Sequence, residues 1–500
     1  MAAKAENHQT GSETTLPLQR SYIDGRAVDS SSGDRFECRH SGNEHLICEV
    51  EIAGQREVDE AVAAAARAFS DWSATPAAER GAILRRAASL LREQNDELAA
   101  LETLDTGKPI AETAVVDIAT GADVIDYFAG LAQSIHGEHI DLPPAAFAMM
   151  RREPLGVCAG IGAWNYPMQI AMWKSGPALA CGNTMVFKPA EQTPLTALRL
   201  AEIYTEAGLP DGVFNVVQGA AETGSALVSH PDVAKVTLTG SVETGKLVAQ
   251  QAARDLKKIT LELGGKSPIV VFDDSQFDNA INAVLVGNFY STGQVCSNGT
   301  RVFVQRSLQE DFVEELAART QAIRVGDPFD PKTQMGPLVS REHYGKVCRY
   351  FDIAKGSSAR HVCGGDALDD PKLHGGLYVS PAIFADCDDS MPFVNEEVFG
   401  PLMAVLAFDT EDDVVRRANA TPYGLSAAVF SSNVSRAHRV ANALQAGIVW
   451  INDYNITPAE VPFGGYKHSG IGRENGLQAV EHYTQIKTIY VNLGDVEKTY

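Results

Sequence analysis

The spacing of apolar residues divides the chain into a helical first part and a longer part in which strands alternate with helices. Between about residues 56 and 135, apolar residues recur every three or four positions, with charged residues between them, as in REVDEAVAAAARAFSDW. That period is typical of amphipathic helices. We expect Gly107 and Pro109 to end the second helical run, AAERGAILRRAASLLREQNDELAALETLDTG.

From residue 155 onward, short apolar strands alternate with helical patterns. PLGVCAGIGAWNYP predicts a strand and a turn, after which Pro167 opens a helix. In the next unit we expect Thr193 to be the N-cap, Pro194 the first helical residue, and Gly208 with Pro210 the stop. This alternation predicts a parallel sheet covered by helices, which binds ligands at the carboxyl ends of its strands.

Residues 265–450 repeat the α/β rhythm and predict a second domain. Two or more domains are also expected because 500 residues exceed what one hydrophobic core normally supports. The tail TQIKTIYVNL predicts a strand outside the main body. An apolar strand at a chain end is expected to pair with a sheet edge, for example that of another subunit.

Composition narrows the classes of partner. Lysine and arginine number 42, and aspartate and glutamate 64, which gives a net charge of −22. The electrostatic field of a chain with this net charge disfavours the binding of nucleic acid and mildly attracts a cationic substrate. A negative net charge is also expected of a protein in which the charge serves solubility alone.

The eight cysteines include no CxxC spacing, and the first twenty residues lack the apolar core of a secretory signal. No stretch reaches the ~18 apolar residues of a membrane span. These features predict free thiols and a cytoplasmic location.

Cys296 is the first candidate for chemistry. In FYSTGQVCSNGTR it lies among small and polar residues, where nothing bulky covers it. A thiol with an ordinary pKa of about 8.5 is only a few per cent thiolate at neutral pH, so a nucleophilic role needs a donor and an acid–base partner. No histidine lies near Cys296 in the sequence, which argues against a cysteine protease.

Two segments suggest a nucleotide site. In TLTGSVETGK, Gly240 and Gly245 lie between a strand and a helix, but Val242 takes the place of the middle glycine of a standard dinucleotide fingerprint. In FKPAEQTP, Lys188 and Glu191 could hold the two ribose hydroxyls of an adenosine, and the carboxylate favours NAD over NADP. A tight turn and a solvated charge pair are the plainer interpretations.

Three further segments offer partners for the thiol. Glu262 lies in the apolar strand of TLELGGKSP, where lost hydration raises a carboxyl pKa towards that of a general base; a solvent-facing glutamate is the alternative. Asn165 lies at a strand-to-helix turn and could donate to an oxyanion. Tyr166 and Trp173 are seven residues apart on one helix face, a spacing more typical of core packing than of binding.

Seven segments in order resemble the motifs of the NAD(P)-dependent aldehyde dehydrogenase superfamily: GAWNYP, FKPAEQTPLTAL, TLTGS, LELGGKSP, GQVCSNGTR, EEVFGP and PFGGYKHSGIGRENG. The likeness runs from about residue 20 to the C-terminus. NYP, WKSGPALACGN and VPFGGYKHSGIGRENG resemble the branch that oxidises betaine aldehyde or 4-trimethylaminobutyraldehyde.

The resemblance implies a catalytic cycle. Cys296 would attack the aldehyde carbon, and the side-chain amide of Asn165 with the backbone N–H of Cys296 would hold the oxyanion. Glu262 would activate the water that hydrolyses the thioester. Lys174 and Glu474 resemble residues of a proton path. NAD, or NADP, would be held by the residues that match the family's cofactor motifs: Ile161, Gly162, Ala163, Trp164, Asn165, Lys188, Pro189, Ala190, Glu191, Gly224, Gly240, Ser241, Thr244, Leu263, Glu397 and Phe399.

The same resemblance implies which residues bind the substrate and whether a metal ion is bound. Tyr166 and Trp173, with Tyr454 and Phe463, would form an aromatic box for a quaternary ammonium group, worth ~1–2 kcal/mol per well-placed ring. Some relatives bind potassium near the positions of Asp105 and Lys467, which leaves a metal site undetermined here.

The implied fold is α/β, with two Rossmann-like parallel-sheet domains and a small β element. An NAD-binding domain would span 10–135 and 155–263, and a catalytic domain 264–465. A bridging element of 136–154 and 480–500 would assemble a homodimer or homotetramer.

Other functions remain open on the residues alone. An ω-aminoaldehyde dehydrogenase or a broad-range enzyme would use the same machinery. A cofactor-independent thiol esterase using Cys296 and Glu262 would leave Lys188, Glu191 and Ser241 unexplained. A non-catalytic protein of the same fold would be expected to lack the nucleophile.

Overall fold

The structure is a computed structural model that describes residues 14–373 and 375–500. Residues 10–13 of the expected NAD-binding segment, and most of the N-terminal stretch examined for a signal, lie outside the described residues.

Strands and helices alternate along most of the chain. The strands of the described residues are β1 (Ser21–Ile23), β2 (Arg26–Val28), β3 (Arg35–Arg39), β4 (Leu46–Glu51), β5 (Glu138–Leu142), β6 (Ala146–Pro154), β7 (Val157–Ile161), β8 (Thr184–Lys188), β9 (Phe214–Val216), β10 (Val233–Thr239), β11 (Lys258–Glu262), β12 (Pro268–Val271), β13 (Arg301–Gln305), β14 (Arg360–Cys363), β15 (Ala382–Ala385), β16 (Leu402–Phe408), β17 (Ser426–Phe430), β18 (Ile448–Ile451), β19 (Gly470–Ile471) and β20 (Thr484–Asn492).

The helices of the same residues are α1 (Gln55–Ala74), α2 (Ala77–Glu93), α3 (Asn95–Thr106), α4 (Ile110–Glu112), α5 (Ile118–Leu131), α6 (Pro167–Ala180), α7 (Leu195–Glu206), α8 (Ala221–Ser229), α9 (Val242–Arg254), α10 (Phe277–Phe289), α11 (Gln309–Gln321), α12 (Arg341–Lys355), α13 (Pro392–Asn395), α14 (Glu411–Asn419), α15 (Val434–Ala443) and α16 (Ala479–Tyr483). A π-helical turn, Thr113–Asp117, joins α4 to α5, and 3-10 turns occur at Ala132–Ser134, Tyr290–Gly293, Pro371–Leu373 and Lys467–Ser469.

The first sheet has the strand order β19-β11-β10-β7-β8-β9-β1-β2. Its central strands, from β11 to β9, are parallel, whereas β19, β1 and β2 join its edges antiparallel. The register places Thr239 beside Glu262 and Ile161 beside Lys188, so these strands end at one edge. The predicted parallel α/β sheet is confirmed.

The second sheet has the order β14-β15-β16-β13-β12-β17-β18, and its strands from β15 to β18 are parallel. Apolar side chains from both faces of these strands are fully buried, as expected of a sheet covered by helices on both sides. The predicted fold class, with two parallel-sheet α/β units, is therefore confirmed.

A small antiparallel sheet stands apart from both, with the order β20-β6-β5. The predicted tail strand β20 pairs with β6 of the same chain, from Thr484 opposite Pro154 to Asn492 opposite Ala146. Ile486 and Tyr490 on β20 expose 59% and 62% of their surface, an apolar exposure typical of a face that another subunit covers.

Two helix boundaries differ from the prediction. Helix α7 begins at Leu195 with Pro194 as its N-cap, one residue later than predicted. The cap comes from a residue far away in the sequence, because the backbone N–H of Leu195 donates to Oδ2 of Asp105 at 2.9 Å. The side-chain oxygen of Thr193, the predicted cap, is buried without a hydrogen-bond partner among the described residues. The long second helical run is also interrupted at Gln94, although it ends at Gly107 as predicted, in the left-handed conformation.

Among the helices of the described residues, none combines the length and the apolar character needed to cross a bilayer.

Candidate active site

Cys296 lies in a loop whose backbone is held from several sides. The loop follows the 3-10 turn Tyr290–Gly293, in which Ser291 and Thr292 adopt left-handed conformations with φ of 49° and 58°. Asn298 closes the loop, because its Nδ2 donates to the carbonyl oxygen of Gly293 at 2.8 Å. Hydrogen bonds within the loop therefore support the position of Cys296.

The second glycine of the pair after β11 lies against the nucleophile loop. A Cβ built on Gly265 would lie 2.6 Å from the carbonyl oxygen of Cys296, too close for any other residue. Glycine therefore lets the nucleophile loop lie directly against the end of the first sheet.

The thiol of Cys296 is partly buried and protonated at neutral pH. Burial, together with the nearby carboxyl groups of Glu262 and Glu397, which disfavour a negative sulfur, raises its pKa to about 12. A reacting thiol here needs stabilisation of the charge that develops during attack.

Asn165 supplies an amide to the cavity that Cys296 lines. It lies in the turn between β7 and α6, and its Nδ2 donates to the carbonyl oxygen of Gln294 at 3.0 Å. Because an amide carries two N–H groups, the second can serve a ligand in the cavity that Asn165 and Cys296 both line.

Glu262 ends β11 and is only 5% exposed, so the solvent-facing alternative is wrong. Neither carboxyl oxygen has a hydrogen-bond partner among the described residues. Burial raises its pKa well above the usual range, and Glu474 raises it further, while Lys174 and Arg473 oppose the shift. A carboxyl group without a partner at the wall of a cavity is suited to exchange a proton with a bound water.

Behind Glu262 lies a buried ion pair between the predicted proton-path residues. Lys174 of α6 donates from Nζ to Oε1 of Glu474 at 2.5 Å, and both side chains are at most 1% exposed. Thr237 of β10 donates to the same oxygen at 3.1 Å. The pair is close enough to shift the pKa of Glu262, so the three groups form one electrostatic unit.

A cavity of about 800 Å³ follows the carboxyl ends of β7, β8, β10 and β11. At one side it meets the N-terminus of α9, where Ser241 is the N-cap and accepts from the backbone N–H of Thr244 at 3.1 Å. A helix N-terminus of this kind favours an anionic group such as a pyrophosphate. The cavity is lined by every predicted cofactor residue except Pro189: Ile161, Gly162, Ala163, Trp164, Asn165, Lys188, Ala190, Glu191, Gly224, Gly240, Ser241, Thr244, Leu263, Glu397 and Phe399.

Lys188 and Glu191 lie at the adenosine end proposed from the sequence. Lys188 Nζ donates to the carbonyl oxygen of Pro189 at 2.7 Å and lies 3.9 Å from Oε2 of Glu191. Burial lowers the pKa of Lys188 to about 8, whereas the Glu191 side chain is 45% exposed. The two side chains can present a donor and an acceptor to adjacent hydroxyl groups.

Glu397 and Phe399 border the other end of the cavity. Glu397 accepts from the backbone N–H of Gly265 at 2.8 Å, and burial raises its carboxyl pKa. The Phe399 ring meets Trp164 edge-on, with ring centroids 5.2 Å apart. His343 also contacts Trp164, with ring centroids 5.0 Å apart, and its Nε2 donates to the carbonyl oxygen of Phe399 at 2.7 Å.

The four predicted substrate residues fall into three groups, and none of them lines the 800 Å³ cavity. Trp173 and Phe463 meet edge-on at 5.4 Å, in a cluster against which Cys296 packs. Tyr166 lies at the nucleophile loop, where its hydroxyl is 2.9 Å from Oγ of Ser291. Tyr454 lies beneath the loop and packs against Trp450 at 4.9 Å.

The sequence matches the aldehyde dehydrogenase family over residues 27–489. A betaine aldehyde dehydrogenase from Staphylococcus aureus in complex with NAD+ is 42% identical, with 96% of each chain covered and a TM-score of 0.94. The apo form of a mutant of that enzyme gives 42% identity, 96% coverage of each chain and a TM-score of 0.93. A Burkholderia cenocepacia protein described as an aldehyde dehydrogenase is 40% identical over 96% of this chain and 99% of its own, with a TM-score of 0.95.

The chain belongs to the aldehyde dehydrogenase family.

Asp105 and Lys467, near whose positions some relatives bind potassium, form hydrogen bonds with protein groups in this structure. Asp105 is buried and accepts from Leu195 N and from Sγ of Cys38. Lys467 donates to the carbonyl oxygens of Asn419 and Thr421. Across the described residues, no group of three or more His, Cys, Asp or Glu side chains is arranged to hold a metal ion.

Sequence reasoning missed several residues of the cavity wall in this aldehyde dehydrogenase family member. Glu342, His343 and Lys346 reach the cavity from α12, and Gln251 reaches it from α9. His343 is 179 positions from the tryptophan that it contacts, and no local pattern marks it. Burial lowers the pKa of His343 to about 4, so it contributes a neutral ring to this wall.

Proposed function

We propose that the protein oxidises an aldehyde to a carboxylate with NAD, through a thioester on Cys296. The observation that carries this proposal is the convergence of three groups on one cavity at the strand ends: a thiol, an amide and a buried carboxyl without a partner. The residues predicted to bind the cofactor line the same cavity as Cys296, so the thiol and a bound cofactor can come into contact.

The first half-reaction uses Cys296 and Asn165. The Cys296 thiol loses its proton to a water molecule in the cavity as the sulfur attacks the carbonyl carbon, a C–S bond forms, and the oxygen takes the electron pair of the π bond. The side-chain amide of Asn165 and the backbone N–H of Cys296 stabilise that oxyanion more strongly than the neutral carbonyl, which lowers the barrier. When bound, NAD supplies the acceptor for the hydride that leaves the same carbon.

The cavity fits such a cofactor. Ser241 and the first N–H groups of α9 would hold its pyrophosphate, and Lys188 with Glu191 would hold a ribose. Glu397 and Phe399 border the end nearest to Cys296. The carboxylate of Glu191 repels a 2′-phosphate, which favours NAD over NADP.

The second half-reaction uses Glu262. Its carboxylate takes a proton from water, the oxygen attacks the thioester carbon, and the C–S bond breaks to give a carboxylic acid and a thiolate, which takes the proton of that acid and becomes the thiol again. Because the pKa of Glu262 is raised, the base form gains population as the pH rises, and thioester hydrolysis accelerates in the same direction. Lys174 and Glu474 lie next to Glu262 and would receive the proton on its way out.

For the substrate we propose a trimethylammonium aldehyde, most simply betaine aldehyde, which would yield glycine betaine. The net charge of −22 favours a cationic substrate over an anionic one. Trp173 and Phe463 supply apolar rings beside the nucleophile, as a quaternary ammonium group requires. A relative that is 42% identical is a betaine aldehyde dehydrogenase. An ω-aminoaldehyde or a broad range of aldehydes is the second candidate, since Tyr166 and Tyr454 are each engaged by protein groups.

The Trp173→Ala variant tests this specificity. We expect the KM for betaine aldehyde to rise about tenfold, because a cation–π contact of ~1–2 kcal/mol is lost, while the KM for propanal changes less than about threefold. Steady-state kinetics of NADH formation with both aldehydes measures the difference. Equal losses on the charged and the neutral aldehyde would refute the aromatic box.

We propose a homodimer or homotetramer assembled through the exposed face of β5, β6 and β20, and a cytoplasmic location. The division into an NAD-binding, a catalytic and a bridging part, with the boundaries given above, is part of the same proposal. Neither nucleic acid nor a membrane is proposed as a partner.

The activity itself is tested by one set of assays. Purified protein is given NAD or NADP with betaine aldehyde, 4-trimethylaminobutyraldehyde, aminobutyraldehyde or propanal, with and without potassium, and absorbance at ~340 nm follows the reduced cofactor. We expect turnover with NAD and the trimethylammonium aldehydes. Hydrolysis of an activated ester without any reduction of cofactor would favour the thiol esterase instead.

A further inference from the structure

Residues 108–117 carry a cluster of ionisable side chains that contacts the turn with Asn165 and the turn that leads to Cys296. Lys108, Glu112 and Asp117 are at most 6% exposed. Glu112 and Asp117 stand at the two ends of the π-helical turn that joins α4 to α5. A π-turn inside an α-helix changes which residues share a face, and such turns are frequent at functional sites.

Lys108 contacts the turn that carries the oxyanion amide. Its Nζ forms an ion pair with Asp117, donates to the backbone carbonyl oxygen of Asn165 at 3.0 Å, and lies 3.5 Å from the centre of the Tyr166 ring. The ion pair holds the ammonium group, and the ammonium group contacts the backbone of Asn165 and the side-chain ring of Tyr166, two consecutive residues of the β7–α6 turn.

Glu112 contacts the turn that leads to the nucleophile. Both of its oxygens lie 3.1 Å from the backbone nitrogen of Ser291, and the Ser291 hydroxyl donates to Oε2 at 2.9 Å. Ser291 is left-handed, a conformation that costs of order 1–3 kcal/mol in a residue other than glycine and needs support from its surroundings. The Tyr166 hydroxyl, 2.9 Å from Oγ of Ser291, joins the two contacts into one network.

We propose that Lys108 and Glu112 are positioning residues that hold the Asn165 amide and the Cys296 loop at the separation that oxyanion stabilisation requires. The inference rests on the proposed roles of Asn165 and Cys296 and deepens them. The two halves of the oxyanion site come from different parts of the fold, and hydrogen bonds from Asn165 to Gln294 and between Tyr166 and Ser291 join them directly. The buried cluster adds a further connection through the side chains of residues 108–117, and neither of its two positioning residues lines the cavity.

The Glu112→Gln variant tests the proposal. Glutamine keeps the size of the side chain, but it is neutral and has one acceptor oxygen in place of the two that accept from the N–H and the hydroxyl of Ser291. We expect kcat for betaine aldehyde to fall about 10- to 100-fold, since small displacements of reacting groups have effects of this size, while the KM for the aldehyde and the Kd for NAD change less than about twofold. Stopped-flow kinetics and fluorescence titration with NAD supply these values.

Glu57→Gln is the matched control. Glu57 is also a fully buried carboxylate that accepts two N–H groups, from Gly54 at 2.8 Å and Ser31 at 2.9 Å, but it lies on α1 and lines no part of the cavity. We expect this variant to lose stability with kcat within about twofold of the wild type. Equal losses of kcat in both variants would reduce Glu112 to a structural role and overturn the proposal.

Ser291→Ala keeps the test decisive if the glutamine variant does not fold. We expect kcat to fall about 3- to 10-fold, because alanine removes the hydroxyl that donates to Glu112 and contacts Tyr166, while the backbone N–H of Ser291 still donates to Glu112. Lys108→Met combined with Asp117→Asn removes both charges together and is expected to lower kcat in the same range.

Unchanged kcat in all these variants would refute the proposal. A Cys296→Ala variant made in parallel separates the two levels: if it is inactive while Glu112→Gln is fully active, only the positioning role fails, and if it is active, the proposed function fails.

Discussion

Replacing Cys296 by alanine is expected to lower the rate of NADH formation by at least about 10⁴-fold, because the covalent intermediate cannot form without the nucleophile. The substitution removes a single sulfur atom from a loop that its own backbone hydrogen bonds keep in place. The fold and the cofactor cavity should therefore survive. The measurement is NADH absorbance with saturating NAD and betaine aldehyde.

The control for this variant is cofactor binding. We expect the Kd for NAD to stay within about twofold of the wild type, because the contacts proposed for the cofactor lie on the strand ends and on α9. Cys348→Ala, at another partly buried cysteine, should leave turnover unchanged. Turnover of Cys296→Ala at the wild-type rate would contradict the account.

Replacing Glu262 by glutamine is expected to separate the two half-reactions. Glutamine cannot take a proton from water, so thioester hydrolysis should slow by about 10²–10⁴-fold, the range that a general base contributes. Hydride transfer does not need that base, and the first turnover should still release NADH. We expect a rapid burst of one NADH per active site, followed by a slow steady state, in a stopped-flow experiment.

The pH dependence of this variant provides a further check. In the wild type, burial and Glu474 raise the pKa of Glu262, so the base form is lost as the pH falls and deacylation slows towards acid. The slow steady state of the glutamine variant should lack that dependence. A variant with no burst and an unchanged acid limb would show that another group activates the water.

Local patterns in the sequence indicated Cys296 and Glu262, whereas the resemblance to the family supplied most of the other residues that line the cavity. Cys296 was recognisable because small and polar neighbours surround it, and Glu262 because a carboxyl group ends an apolar strand. The alternation of strands and helices predicted the parallel sheet, and a parallel sheet brings its strand ends to one edge. These features depend on a few consecutive residues, so the sequence alone displays them.

The supporting contacts were not predictable in this way. Lys174 and Glu474 are 300 positions apart, and Ser291 is 179 positions from Glu112. The group that caps α7 at Leu195 is Asp105, which lies 90 positions earlier in the chain, and not Thr193 as predicted. Each contact depends on how separate elements pack, and a single chain carries no periodic signal for it.

The central claim is a covalent bond between Cys296 and the acyl group of the substrate. The most direct measurement is peptide mass spectrometry of the Glu262→Gln variant, quenched in acid after the NADH burst with NAD and betaine aldehyde. The account predicts that the peptide containing Cys296 gains the mass of the acyl group, in an amount equal to the NADH of the burst. A full burst with an unmodified Cys296, or with the acyl group on another residue, would contradict it.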